Sequence, residues 1–361
     1  MMTETAFISD IAIPPGEYLE EVLEDAEISQ AELARRMGRP PQAINEIVKG
    51  EKAITPETAL QLEQVLGVSA QFWSNLETEF RLILAKQQQL EEIKKEQSLI
   101  NSFPYLQLSK LKLVESTSDK TKRVVELRKF FGVSSLENIR TVKEFAPAFR
   151  QEEKNSLSHE SLAAWLRAGH VIAERANVSD FSKEKLQLTI PKLRKLTNIV
   201  EPNQLIEKIK KVLTDCGIVL ALVPTFPKSY TTGATFWAGK NKAVIMMSLR
   251  GAWSDIFWFS LFHEIGHILL HDKRATFLEN GKLDPQYQKQ EQEADLFAQK
   301  ALIPCEEYQT FLKSEDISHV SIKNFSDSIG IFPGIVTGRL QHDKKLPHTI
   351  HYHRIRYKWN T

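Results

Sequence analysis

The 361-residue sequence predicts an α+β protein that is mostly helical. Residues 1–80 read as several short helices punctuated by Gly and Pro, the first with apolar residues at three- and four-residue steps, and the chain stays helix-forming to about residue 200. After Pro202 a continuous apolar run and a hairpin pattern appear, and further helices follow them. Strands grouped ahead of helices, instead of alternating with them, indicate α+β packing. At roughly 100 to 200 residues per domain the length implies two or three domains, and a hydrophobic content of 42% lets each bury a core. Composition and charge place boundaries near residues 80 and 200, setting off an all-α start (1–80) and a helical middle (81–200); the remainder is expected to divide into an α+β part (201–310) and a helical C-terminal extension (311–361).

Pro14-Pro15-Gly16 opens the first helix, and Leu19, Val22, Leu23 and Ala26 make its apolar face. Ser29 caps a second helix, with Glu32 three residues on completing a capping box. A third starts near Pro41 and ends at Gly50, and Thr55-Pro56-Glu57 then sets a capping residue before a proline at the first helical position. Ala34, Gly38 and Ile44 are spaced as in a helix-turn-helix: a small residue where the helices cross, glycine in the turn, an apolar anchor on the second helix. That second helix would expose Gln42, Asn45, Glu46 and Lys49. The amides of Gln and Asn can pair with adenine in a major groove.

From Ser74 to Leu99 a helix rich in Gln, Glu and Lys carries Leu76, Phe80, Ile83 and Leu90 in partial heptad spacing. It reads either as a dimer seam or as a connecting helix laid on its own chain. Ser158 to Ala176 is a further helix with Leu162, Trp165, Leu166 and Val171 inward. The net charge of +1 hides a partition among these parts. Residues 1–80 hold 5 basic and 15 acidic side chains, residues 81–200 hold 22 and 14, and residues 201–361 hold 20 and 17. Such asymmetry marks separate modules with separate partners. The acidic first module opposes a phosphate backbone unless Arg35, Arg36, Arg39, Lys49 and Lys52 gather at the groove. Operator binding and contact with another protein both stay open for it.

Ile218 to Val223 is an apolar run ending at Pro224, and Ala234–Trp237 with Ala243–Ser248 flank Gly239-Lys-Asn-Lys242 as a hairpin. A helix beginning near Ser254 then carries His263-Glu264-Ile-Gly-His267. Residues four apart share a helical face, so His263 and His267 can present two imidazoles to one ion. Glu264, beside them, can reach a metal-bound water. Zinc suits imidazole and carboxylate ligands with an open fourth position, and lowers the pKa of its water to about 7. A third ligand is expected from Glu291-Gln-Glu293-Ala-Asp295-Leu-Phe-Ala298, in a helix that starts after Asp284-Pro285. At 100° per residue the apolar set of that helix centres roughly 50° from Glu291 and about 110° from Glu293. Glu291 is favoured, with Glu293 the alternative. Asp295, one turn beyond Glu291, can accept the second ring N–H of a ligand histidine. His271 continues the four-residue spacing but lies too far along the helix for the same ion, and reads as a helix-end or supporting histidine. Tyr230 and His271 are candidates for steadying an oxyanion.

His-Glu-Ile-Gly-His with the downstream Glu-x-x-Ala-Asp-x-Phe-Ala resembles the ImmA/IrrE family of bacterial metallopeptidases, from about Ile218 to Pro304. The resemblance implies a zincin-like core, Zn2+ held by His263, His267 and Glu291, Glu264 as the catalytic residue, and a helix-turn-helix repressor as target. Ile322 to Gln341 resembles the C-terminal helical segment of longer members. Pro15 to Trp73 resembles Cro/C1-type (XRE) regulators, the HigA-type antitoxins above all, through Ser29-Gln-Ala-Glu-Leu-Ala-Arg-Arg-Met-Gly38 and Ile44-Asn-Glu-Ile-Val-Lys-Gly50. Together the resemblances imply a DNA-binding regulator of antitoxin or repressor type with a zinc-dependent endopeptidase that hydrolyses a repressor or antitoxin polypeptide. The alternative is a non-catalytic antitoxin whose metal site is structural or sensory. The expected partners are operator DNA, a repressor, antitoxin or toxin protein, and a second copy of the chain, because palindromes are read by dimers.

Cys216 and Cys305 form neither a disulfide framework nor a Cys-x-x-Cys clip. The opening residues MMTETAFISD lack a basic region followed by an apolar one, and no run approaches about 18 apolar residues. The expectation is a cytoplasmic protein with no membrane partner.

Overall fold

The computed structural model describes residues 11–149, 157–248, 253–271, 277–278 and 285–357. Its contacts divide the chain into two units, Met1–Gln97 and Ser98–Thr361.

The first unit is helical: α1 (Pro15–Asp25), α2 (Gln30–Arg36), α3 (Pro41–Val48), α4 (Pro56–Leu66) and α5 (Ala70–Glu96). Ser29, Thr55 and Ser69 cap α2, α4 and α5 by accepting the backbone N–H of Glu32, Thr58 and Phe72. Gly67 ends α4 in the left-handed region at φ 77°, where a glycine costs least. Leu19, Leu33, Ala34, Ile44, Leu62 and Trp73 share one core. α1 and α3 come so close that a Cβ on Gly16 would stand 1.9 Å from the Val48 carbonyl oxygen. α5 joins the unit through its first half: Trp73 and Phe80 are buried, and buried Glu77 accepts the Ile54 N–H at 3.0 Å. Phe80 packs beside Gly50, so this member of the partial heptad is used inside its own unit, while Leu82, Leu84 and Leu90 are exposed.

The second unit runs α6 (Tyr105–Lys110), α7 (Lys120–Phe131), α8 (Ala146–Phe149), α9 (His159–Arg175), α10 (Lys183–Lys195), α11 (Pro202–Thr214), β1 (Ile218–Leu222), β2 (Gly233–Trp237) and β3 (Ala243–Met247). It continues with α12 (Ser254–Leu270), β4 (Phe277–Leu278), α13 (Pro285–Leu302), α14 (Cys305–Lys313), α15 (His319–Ile329) and α16 (Pro333–His342). The sheet order is β1-β3-β2-β4, with β1 parallel to β3 and the other pairs antiparallel. The expected β2–β3 hairpin is present; β4, two residues long, carries too little pattern to have been read from sequence.

Helices cover both faces of the sheet, which is why its strands are apolar throughout instead of alternating. Ile218, Leu220, Ala243, Ile245 and Met247 share a core with Trp258, Leu261, Phe262 and Ile265 of α12. On the opposite face Phe236 stacks on His170 of α9 at 4.0 Å, and Met246 lies so close to α9 that a Cβ on Gly169 would meet its Sδ at 2.1 Å. The period of two therefore turns Gly233 and Thr235 of β2 towards α12.

α12 is buried on nearly every side, and the C-terminal segment fixes its start. The Ser254 N–H donates to the Ile355 carbonyl at 3.0 Å, Asp255 pairs with Arg354 at 2.8 Å, and the guanidinium groups of Arg354 and Arg356 lie 4.4 Å from the Trp253 ring. At the end of α13, Arg194 donates to the terminal carbonyls of Leu302 and Ile329 at 2.9 and 2.7 Å, tying α10 to α13 and α15. Gly266 allows α12 and α13 to touch: a Cβ there would be 3.1 Å from the Ala294 Cα. Among the described residues no helix is long and apolar enough to cross a membrane.

Candidate functional site

The contact between α12 and α13 assembles a donor cluster. His263 and His267, one helical turn apart, turn their Nε2 atoms towards each other at 3.0 Å. Both face Glu291, whose Oε2 lies 3.3 Å from His263 Nε2 and whose Oε1 lies 3.3 Å from His267 Nε2. One ligand atom from each of the three lies within 4.8 Å of the others. The two imidazoles are 3% and 2% exposed.

The far ring nitrogens fix the tautomers. An ionised carboxylate can only accept, so Asp295 Oδ1, 2.8 Å from His263 Nδ1, takes that N–H. Glu293 Oε2 likewise takes the Nε2–H of His271 at 3.1 Å. His271 is left with Nδ1 as an acceptor, and the Nδ1–H of His267 donates to it across 2.9 Å. Each of the two facing imidazoles thus presents Nε2 to Glu291 and is held from behind by a carboxylate, directly for His263 and through His271 for His267.

Electrostatics follow from the same contacts. Burial opposes charge on His263, but the Asp295 and Glu291 carboxylates outweigh it and hold the imidazole up to about 10. His267, buried and beside His263, is held below its ordinary value despite Glu291. Burial would raise Glu291, and the two imidazoles beside it instead bring it down to about 2. The metal-free cluster therefore keeps one proton among three inward-facing donors. Glu291 Oε1 is buried with no hydrogen bond reaching it, an arrangement that normally costs stability and that a cation between the three donors relieves. Two imidazole nitrogens and one carboxylate oxygen form a donor set that suits zinc with a coordination position left open.

Glu264 is 1% exposed and addresses β2. Thr235 Oγ1 donates to its Oε2 at 2.5 Å, and Gly233, two residues earlier on the same face, leaves room for Oε1, since a Cβ there would stand 2.2 Å from it. Thr235, Gly233 and the His271–Glu293 link were not found by sequence reasoning. Thr235 lies 29 residues before Glu264, and only the strand pleat brings the two together. Tyr230 lies in the loop before β2, 43% exposed and with a positive φ of 46°.

In the first unit, Gln42, Asn45 and Lys49 are exposed and Glu46 is half-buried. Steps of three and four residues put them on one face of α3 and its C-terminal end. Gln42 Nε2 donates to Glu46 Oε1 at 2.9 Å, and Lys52 Nζ lies 3.7 Å from Glu46 Oε2, so the acid on this face is matched by its own neighbours. Arg35 and Arg36 both bind Glu32, at 2.6 and 2.9 Å, and Arg39 donates to Gln61 at 2.7 Å. Four of the five cations available to a phosphate backbone are thus engaged within the module, and Lys49 stands exposed at the end of α3.

Residues 19–73 match the model of the helix-turn-helix family, and residues 224–326 match that of the IrrE N-terminal-like domain, a peptidase M78 family. Virulence-associated protein I of Dichelobacter nodosus is 43% identical over 77 residues, which are 21% of this chain and 71% of that protein. The uncharacterized HTH-type transcriptional regulator YddM of Escherichia coli (strain K12) is 36% identical over 72 residues, 20% of this chain and 77% of that protein. Among solved structures, the Pseudomonas aeruginosa antitoxin HigA with the higBA promoter is 36% identical, over 24% of this chain and 95% of that one, with a TM-score of 0.23. The chain belongs to the XRE-type helix-turn-helix family through its first unit, and its second unit matches the IrrE N-terminal-like domain of the peptidase M78 family over residues 224–326.

Proposed function

We propose that the chain is a cytoplasmic DNA-binding regulator of the antitoxin or repressor type, acting as a homodimer, whose second unit is a zinc-dependent endopeptidase cleaving a repressor or antitoxin polypeptide. The observation that carries the enzymatic half is the meeting of His263, His267 and Glu291 beside a buried Glu264 that a strand hydroxyl orients. His263, His267 and Glu291 hold the ion. Zinc bound there would supply Lewis acidity towards a peptide carbonyl and a water molecule. Glu264 takes a proton at its carboxylate and returns it to the leaving amine, as a general base and then a general acid. Thr235 keeps Oε2 of that carboxylate in place, and Asp295 and His271 keep the two imidazoles from turning.

Helix α3 carries the nucleic-acid half. Gln42 and Asn45 read base edges and Lys49 meets phosphate, with Glu46 holding Gln42 in register. Glu264→Gln in the full chain tests the enzyme. It keeps the shape of the site and is expected to bind zinc as the native chain does, while abolishing relief of a reporter placed under the protein's own promoter. Relief equal to that of the native chain would leave a non-catalytic regulator with a structural or sensory metal. For the other half, Gln42→Ala with Asn45→Ala is expected to abolish a sequence-specific gel shift on that promoter. An unchanged shift would remove α3 as the reading element.

A further inference from the structure

One cavity continues the seam between α12 and α13 beyond the donor cluster. It measures about 220 Å³ and includes Ile256, Phe259 and Ser260 of α12, Gln299 and Leu302 of α13, and Ile335 of α16 in its walls. On α12, Phe259 precedes His263 by four residues, and on α13, Gln299 follows Asp295 by four. One turn of each helix, about 6 Å, therefore separates the cavity from the His263–Asp295 pair on both sides of the seam. The Phe259 and His263 rings lie 6.4 Å apart, and Thr232, also in the wall, immediately precedes the Gly233 that makes room for Glu264. The ionisable groups at the cavity are turned to partners of their own. Asp255 pairs with Arg354 at 2.8 Å, and Arg339 and His342 both reach Asp343, at 2.8 and 3.1 Å. The surface left for an occupant is mostly apolar, with Thr232, Ser260 and Gln299 adding a polar minority.

We infer that this cavity receives a large apolar side chain, aromatic above all, of the residue adjoining the bond to be cleaved, an assignment that rests on the peptidase reading. Size fits, because an apolar cavity of about 150 Å³ already holds benzene. Reach fits as well. Consecutive Cα atoms are about 3.8 Å apart, so a peptide lying at His263 can lower a neighbouring side chain one helical turn along the seam. The cavity thus selects which peptide bonds of a protein substrate present themselves to Glu264, by the residue beside them.

The test uses the full zinc-loaded chain, with indole and a randomised decapeptide mixture as probes. Ser260→Leu fills the cavity from its wall and Gln299→Trp, half-buried, fills it from the rim, so a folding failure in one leaves the other. Millimolar indole is expected to raise the melting temperature of the native chain by a few degrees and of neither variant. In the native digest the residue on one side of the cut is expected to be aromatic or long aliphatic at least tenfold above its share in the mixture, and both variants shift that position to small residues. Absence of an indole effect overturns the cavity as a binding site, whatever is cleaved. Indole binding with cleavage that ignores the flanking residue, or with the same preference in the filled variants, overturns the assignment and leaves the peptidase intact. Indole binding with no peptide cut overturns both, and makes the cavity a small-molecule site.

Discussion

His263 is protonated in the metal-free protein because Asp295 and Glu291 together outweigh its burial, and that proton occupies the place a zinc ion takes. The direction of the pH dependence follows. His263 is held up to about 10 and His267 below its ordinary value, so at neutral pH one proton, not two, competes with zinc. Glu291, brought down to about 2, stays ionised and adds no further proton over that range. Zinc affinity is therefore expected to weaken about tenfold for each unit by which pH falls from 9 to 7, with one proton released per ion bound. Calorimetric titration in two buffers of different ionisation enthalpy measures that proton, and a value near zero would show that His263 is not the proton's holder. The support behind His267 is tested separately. His271→Phe removes the acceptor that fixes the Nδ1–H tautomer of His267, and zinc affinity is expected to drop 10- to 100-fold, as is typical on loss of a hydrogen-bond partner of a ligand. Glu293→Gln, which can still accept from His271, is expected to cost less, and an equal loss in the two would mean that charge and not orientation is what Glu293 contributes.

At the level of elements, the seam between α12 and α13 is what turns residues into a site. Gly266 sets its depth. Gly266→Ala places a Cβ about 3.1 Å from the Ala294 Cα, where backbone and not a flexible side chain must give, so α13 is pushed away from the imidazoles. Overpacking of this kind costs about 1–3 kcal/mol, and denaturant unfolding should show it together with weaker zinc binding; a variant as stable as the native chain would mean the two helices tolerate separation. The seam also explains what could be read from sequence. The His263–His267 spacing is a property of one helix, so no tertiary contact is needed to see it. The angular position of Glu291 against the apolar face of α13 is equally local. Thr235 was illegible because a single hydroxyl in an apolar strand carries no pattern, and only the pleat of β2 aims it at Glu264. The spacing that sets His271 apart from the other two histidines leaves it a helix-end or supporting residue and says nothing of its neighbour Glu293, which lies on another helix. The partial heptad of α5 was ambiguous for a different reason. A seam between two copies and a face packed on its own unit share one period, and the burial of Phe80 beside Gly50 assigns that position to the unit itself.

At the scale of the whole molecule, a net charge of +1 conceals a first module with 15 acidic against 5 basic side chains, an unusual balance for the DNA-binding unit proposed above. The structure shows how the opposition is reduced: Glu32 is spent on Arg35 and Arg36, and Glu46 on Gln42 and Lys52. The same pairings leave few cations for phosphate. Each phosphate neutralised contributes about −0.9 to the slope of log affinity against log salt, so operator binding by the full chain is expected to depend only weakly on salt for a protein of this class. Lys49, exposed at the end of α3, is the residue to remove. Loss of one phosphate contact lowers the slope by about 1. Lys49→Ala should therefore reduce it by about 1 if one copy binds, and by about 2 if a homodimer places Lys49 in both half-sites. Gel shifts on the protein's own promoter across a salt series measure the difference, and the size of the change counts the copies on the operator. A slope unaltered by Lys49→Ala would instead show that Lys49 meets no phosphate.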